Sequence, residues 1–123
     1  MATRMTERSR TAHAQLIRAL VGEYESQGYY VQADHLGHRN GSPPAVNGHI
    51  PDVAAYYDGT LRIIAEAETC DTISNSDTRD QWTAFCRSPY RFEVIMPKSC
   101  LQDAQMQASL WGVAVDKWWS LDT

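Results

Sequence analysis

Residues 51–68 read PDVAAYYDGTLRIIAEAE, and the fold turns on how this stretch pairs with itself. Two apolar runs, Pro51 to Tyr57 and Leu61 to Glu68, flank Asp58-Gly59, a strong hairpin signal, so the segment predicts two antiparallel strands. Side chains alternate along a strand, which puts Glu66 and Glu68 on one face and Ala65 and Ala67 on the other. Carboxylates are rare within apolar strands because burying an unpaired charge is costly unless a cation or hydrogen bonds compensate. A second carboxylate, Asp52, opens the first strand. Asp52 with Glu66 would suffice for a hard cation, which one or two carboxylates usually hold together with waters and substrate phosphates.

Whether Asp52 reaches Glu66 is a question of register. A two-residue Asp58-Gly59 turn pairs Tyr57 with Thr60 and, carried on without interruption, Asp52 with Ala65. The two carboxylates would then face opposite sides of the sheet. A three-residue connection or a single bulge moves Asp52 beside or opposite Glu66. A metal-binding reading therefore demands an irregular hairpin. The simpler alternative is a solvated face that Glu66 and Glu68 share with Arg62, with Asp52 as an ordinary strand-start residue.

Outward from the hairpin, Leu16, Ile17, Leu20, Val21 and Tyr24 recur at helical spacing and predict a helix from Thr11 to Gln27, closed by Gly28. Tyr29 to Ala33 reads as a short strand, and the Gly-, Asn- and Pro-rich residues 35–48 as a loop. After the hairpin, a helix from Thr78 to Arg87 is capped by Ser76 or Asp77. Phe92 to Met96 is a strand stopped by Pro97, Ser99 caps a helix ending at Trp111, and Val113 to Trp119 forms a last strand. The order αβββαβαβ predicts an α/β domain spanning residues 1–123: a mixed sheet of about five strands flanked by helices, with a crevice at the ends of the central strands.

At 123 residues, 43% hydrophobic and 21% charged, the chain suits one packed domain. No apolar run is long enough for a membrane span, and residues 1–20 lack the apolar core of a secretory signal, so a cytoplasmic protein with no membrane partner is expected. Cys70, Cys86 and Cys100 form no CxxC pair and read as buried thiols. The net charge of −4 conceals an asymmetry: Arg4, Arg8, Arg10 and Arg18 face only Glu7 in the first 20 residues, and the acidity lies in the body. His35, His38 and His49 lack zinc-site spacing and read as loop residues. No nucleophile elbow, Walker loop or dinucleotide fingerprint appears, which leaves acyl transfer, nucleotide hydrolysis and hydride transfer without support.

Pro51-Asp52, then Glu66-x-Glu68 a strand later, then a helix and another strand, resembles the PD-(D/E)XK superfamily, the restriction-endonuclease-like fold of many type II restriction enzymes and archaeal Holliday-junction resolvases. The similarity in element order covers nearly the whole chain. It implies Asp52 and Glu66 as ligands of Mg²⁺ or Mn²⁺, with the carbonyl of Ala67 as a further ligand. Glu68 stands at the superfamily's lysine position, as in some restriction enzymes with Glu-x-Glu, and would orient or deprotonate a water. Lys98, at the end of the fourth strand, would supply the missing positive charge. Gln81-Trp82-Thr83-Ala84-Phe85 is similar to the Gln-x-x-x-Tyr signature of nucleases attached to recombination helicases, which adds Gln81 to the candidates.

The resemblance implies a metal-dependent nuclease acting on DNA, with RNA as a second option. Arg18 in the first helix and Arg39 in the loop before Pro51 are the expected phosphate contacts. It also implies a homodimer joined through the terminal strand and whichever of Trp118 or Trp119 faces outward. The alternative is a catalytically inactive module of the same fold that binds nucleic acid or a protein partner, which Glu68 in place of lysine and the acidic body both fit.

Overall fold

A computed structural model describes residues 7–34 and 37–122, so Arg4 of the basic cluster and His35 of the loop lie outside the described residues. The elements are α1 (Glu7–Ser26), β1 (Tyr30–Ala33), β2 (Val53–Tyr57), β3 (Thr60–Ala67), α2 (Ser76–Cys86), β4 (Arg91–Pro97), a 3₁₀ turn (Lys98–Cys100), α3 (Leu101–Trp111) and β5 (Lys117–Leu121). One five-stranded sheet takes the order β1-β2-β3-β4-β5. The β1, β2 and β3 strands form an antiparallel meander, and β4 and β5 each add parallel to the strand before. The protein is therefore α/β, with a mixed sheet flanked by helices. Among the described residues no helix is long and apolar enough to cross a membrane.

Each face of the sheet is closed by a different helical layer. Leu16, Ile17, Leu20, Val21 and Tyr24 of α1 pack on Val31, Ala33, Val53, Ala55, Ile63, Ala65, Ala67 and Ile95. The run of small alanines at this contact lets the helix lie close to the strands. On the opposite face, Trp82 and Phe85 of α2 and Ala104 and Ala108 of α3 cover Ile64, Phe92, Val94 and Met96. The β4 strand is consequently buried from Phe92 to Pro97 on both sides, as expected for a strand with parallel neighbours and a helix above and below.

Several boundaries differ from the sequence reading for local reasons. Among the described residues the first helix already runs from Glu7, ahead of Thr11, and its leading turns are polar and carry no apolar periodicity that would have marked them. The N-cap of α2 is Asn75, not Ser76 or Asp77, and its side chain makes no capping bond. The last strand starts at Lys117, not Val113. Gly112 ends α3 in the left-handed conformation at φ 68°, and the Val113 N–H returns to the Ala108 carbonyl. Asp116 then ties this connection to β4, since its Oδ2 accepts the Phe92 N–H and its own N–H donates to the Phe92 carbonyl.

Two expectations are corrected. Neither Trp118 nor Trp119 is turned outward. With helices on both faces, Trp119 packs against the α1 side and Trp118 against the α2/α3 side, edge-on to Tyr24 and Trp82 respectively. The outward tryptophan on which a dimer interface was expected is absent. Cys70 and Cys100 are also not free thiols but a disulfide, with Cα atoms 5.7 Å apart, and Cys86 is the free cysteine. The parallel pairing of β3 with β4 carries the chain just beyond each strand to the same end of the sheet, so cysteines 30 residues apart meet there. Closing a loop of this length should contribute about 4 kcal/mol. Urea denaturation with and without dithiothreitol, or of Cys70→Ser, is expected to show a loss of that size; coincident midpoints would contradict the bridge.

Candidate functional site

The hairpin is irregular in the way a carboxylate pair requires. Asp58 and Gly59 occupy a two-residue turn with φ 55° and 74°, the mirror-image geometry that favours Gly at its second position, and Tyr57 pairs with Thr60. The pairing then skips a residue: Tyr56 faces Leu61 but Ala55 faces Ile63, which leaves Arg62 as the bulge. Beyond the bulge, Val53 sits opposite Ala65, and one step further Asp52 arrives opposite Glu66. The Asp52 backbone N–H donates to Glu66 Oε2 at 3.1 Å, and Asp52 Oδ2 accepts the Ala67 N–H at 2.9 Å. The side chain at the end of β2 is thus locked across the end of β3.

Three carboxylates gather here out of water: Asp52, Glu66 and Glu68 are 7%, 2% and 5% exposed. The solvated-face reading, with Glu66 and Glu68 beside Arg62, does not hold, because the bulge leaves Arg62 exposed at the far end of β3. Their protonation follows from crowding. Burial, the Asp52 charge and a hydrogen bond with Asp52 push Glu66 well above the ordinary carboxyl range. Burial acts on Asp52 in the same direction, yet hydrogen bonds from His13 and Glu66 outweigh it and hold Asp52 below its usual value. Within the pair, burial and crowding thus favour the protonated form at Glu66 and the ionised form at Asp52. Glu68 is pushed up to about 7, first by burial and then by the Asp52 charge.

Glu68 is held by two donors: Thr72 Oγ1 donates to Oε1 at 2.8 Å and Trp82 Nε1 to Oε2 at 3.3 Å, while Thr78, whose Oγ1 lies 3.4 Å from Oε1, gives its proton to the Thr72 carbonyl at 2.7 Å. His13 of α1 completes the cluster, its Nε2 lying 3.3 Å from Asp52 Oδ2. Burial pulls this imidazole down, but the bond and charge of Asp52 more than offset that and raise its pKa. These four neighbours were not among the sequence candidates. His13 could have been found, because it stands three and four residues before Leu16 and Ile17 on the buried stripe of α1. Trp82 lies inside the segment that drew attention to Gln81.

Of the candidates, Asp52, Glu66, Glu68 and the Ala67 backbone come together. Gln81 is half-buried beside Trp82, and the indole rather than the amide reaches Glu68. Lys98 is exposed on the 3₁₀ turn after β4. Arg18 is exposed in the middle of α1, and Arg39 is paired with Glu25 at 2.6 Å. Glu25 is twelve residues along α1 from His13, which places that pair about 18 Å from the carboxylate end. A groove of about 690 Å³ does lie nearby, between Arg8, Ala12 and Gln15 of α1 and Thr69, Asp71 and Ser99, and Ala12 and Thr69 are chain neighbours of His13 and Glu68.

Among the described residues no three His, Cys, Asp or Glu side chains are already arranged to hold a metal ion. The chemistry of the donor set nevertheless suits a hard cation. Two buried carboxyl groups that cannot both ionise, plus a third poised near neutrality, are what a site with replaceable protons looks like, and two carboxylates are enough for a cation that keeps its waters.

A carboxyl raised from 4.5 to about 7 favours the folded state fully below pH 4.5, and that contribution is lost as pH rises to 7. Relative to wild type, Glu68→Gln should gain about 3 kcal/mol in urea denaturation between pH 4.5 and 7.5. A difference that does not change with pH would contradict this assignment. No family model, no curated protein and no solved structure matches this chain.

Proposed function

We propose that the protein is a Mg²⁺- or Mn²⁺-dependent nuclease of the restriction-endonuclease-like class, hydrolysing phosphodiester bonds in DNA. The observation that carries this reading is the Arg62 bulge, which sets Asp52 opposite Glu66 and buries the two carboxyl groups together at the end of the sheet. Asp52 and Glu66 would hold the cation, with the Ala67 carbonyl as a further oxygen. A bound divalent cation supplies Lewis-acid stabilisation of charge at a scissile phosphate and lowers the pKa of water.

The remaining work falls to the chain's own groups. Glu68, with a pKa of about 7, is matched to accept a proton from water at neutral pH, the condition under which a general base is most effective. Thr72 and Trp82 fix the orientation of its two oxygens. His13 sets its imidazole against Asp52, whose bond and charge favour the protonated, positive form, on the cluster where the superfamily resemblance looks for a lysine. The groove along α1 and Thr69–Asp71 offers the nearest approach for a strand, with Arg8 on its wall as a phosphate contact.

The second reading, a non-catalytic module of this fold, draws on a specific observation too: both oxygens of Glu68 are already engaged, by Thr72 and by Trp82, and Lys98 is exposed on the turn after β4. The two readings separate on Glu66→Gln. A glutamine keeps a neutral donor-and-acceptor group in place of the protonated carboxyl, so the fold should be retained within about 1 kcal/mol. Wild type is expected to bind Mn²⁺ in calorimetry with release of a proton and to cut linear or branched DNA. In Glu66→Gln both should be lost. Absence of Mn²⁺ uptake by wild type, with and without DNA, would overturn the nuclease reading in favour of the non-catalytic module, and so would cleavage by the variant equal to wild type.

A further inference from the structure

A second cleft, of about 490 Å³, opens at the other end of the sheet. Six residues of β3 separate Arg62, on its wall, from Glu68, so the two sites stand about 20 Å apart along the strand. Three cations line it, and topology explains why. Arg62 is the bulge residue near the start of β3, Arg91 is the first residue of β4, and Lys117 is the first of β5. Because these three strands run parallel, their leading ends lie side by side, and each contributes one positive group. On a chain of net charge −4, this collects three cations against one lining carboxylate, Glu93.

That carboxylate holds the cleft in shape. Glu93 is 2% exposed and satisfied on both oxygens: Oε1 accepts the Tyr24 hydroxyl at 2.6 Å and the Trp119 indole N–H at 2.7 Å, and Oε2 accepts Arg91 Nε at 2.7 Å. The Trp119 ring and the Arg91 guanidinium are thereby fixed in orientation, and Lys117 Nζ rests 3.9 Å over the indole. Across the cleft, Tyr29 and Tyr57 meet edge to face, and Tyr57 leaves more than half of its surface exposed. Arg62 is exposed on the rim and, among the described residues, has no carboxylate partner within ion-pair distance.

We infer that this cleft binds a nucleoside phosphate, with the phosphate on Arg62, Arg91 and Lys117 and the base against Tyr57 and Tyr29. Arginine forks match phosphate oxygens, and exposed aromatic faces stack with any base, so cations and flat rings in one pocket select a group that is both anionic and planar. The volume lies in the range of small-molecule sites. The inference does not depend on the carboxylate cluster holding a metal. The ligand can reach the cleft as a free nucleotide or as the phosphorylated end of a strand, and the chemistry recognised is the same.

The test is calorimetry at low salt without divalent metal, using adenosine 5′-monophosphate, adenosine, inorganic phosphate and a twelve-nucleotide DNA strand with or without a 5′-phosphate. The monophosphate should bind at least about tenfold more tightly than adenosine or phosphate alone, and Arg62→Gln and Lys117→Gln should each weaken it about tenfold. Both variants alter exposed side chains, and their folding is checked by an unchanged urea denaturation midpoint. Preference for the 5′-phosphorylated strand over the mononucleotide would assign the cleft to strand ends, and the reverse would assign it to free nucleotides. No binding by the monophosphate or the phosphorylated strand, or phosphate binding as tightly as the monophosphate, would overturn the inference.

Discussion

One skipped residue in the β2–β3 ladder fixes everything at the carboxylate end. Without the Arg62 bulge, the Asp58-Gly59 turn would pair Asp52 with Ala65, and its carboxylate would be driven into the apolar contact between α1 and the sheet. With it, Asp52 crosses to Glu66, and the alanines keep the face that α1 needs. The bulge also ejects Arg62 from the strand's alternation and turns it to the surface at the opposite end, where Arg91 and Lys117 lie. A single irregularity thus serves both ends of the same strand.

The two buried carboxylate clusters use opposite solutions to the same desolvation problem. Glu93 is compensated by a tyrosine hydroxyl, an indole and a guanidinium, so that it is fully satisfied by the protein and acts as a structural anchor. Asp52 and Glu66 receive two backbone N–H groups and one imidazole for two carboxyl groups, a shortfall that favours the protonated form at Glu66. A group stabilised by a replaceable proton is open to exchange with a cation. One held by fixed donors is not. This contrast, rather than the number of acidic residues, separates a candidate site from a structural carboxylate.

Much of this architecture was legible in the sequence, and the failures have physical causes. Periodicity and turn signals located the three α-helices and five strands of the described residues, and the parity of the hairpin reduced the site question to whether a bulge was present. It could not decide that question, because Arg62 is a polar residue on a strand with no glycine to mark the irregularity. Contacts between distant segments were out of reach for the same kind of reason. Cys70 meets Cys100 and Arg91 meets Lys117's neighbour Asp116 only after parallel strands are laid side by side. Trp118 and Trp119 were expected to divide between core and surface; a sheet covered on both faces gives each a core of its own.

The central claim is that Glu66 carries a proton which a divalent cation replaces. Carboxyl ¹³C resonances of Glu66, followed by NMR across pH 4 to 9 with and without Mg²⁺, test it at the atom concerned. The account predicts a Glu66 midpoint well above that of an exposed glutamate in the metal-free protein, and an ionised Glu66 at pH 6 once Mg²⁺ is added. An ordinary Glu66 titration near 4.5, or a raised one that Mg²⁺ leaves unmoved, would contradict it.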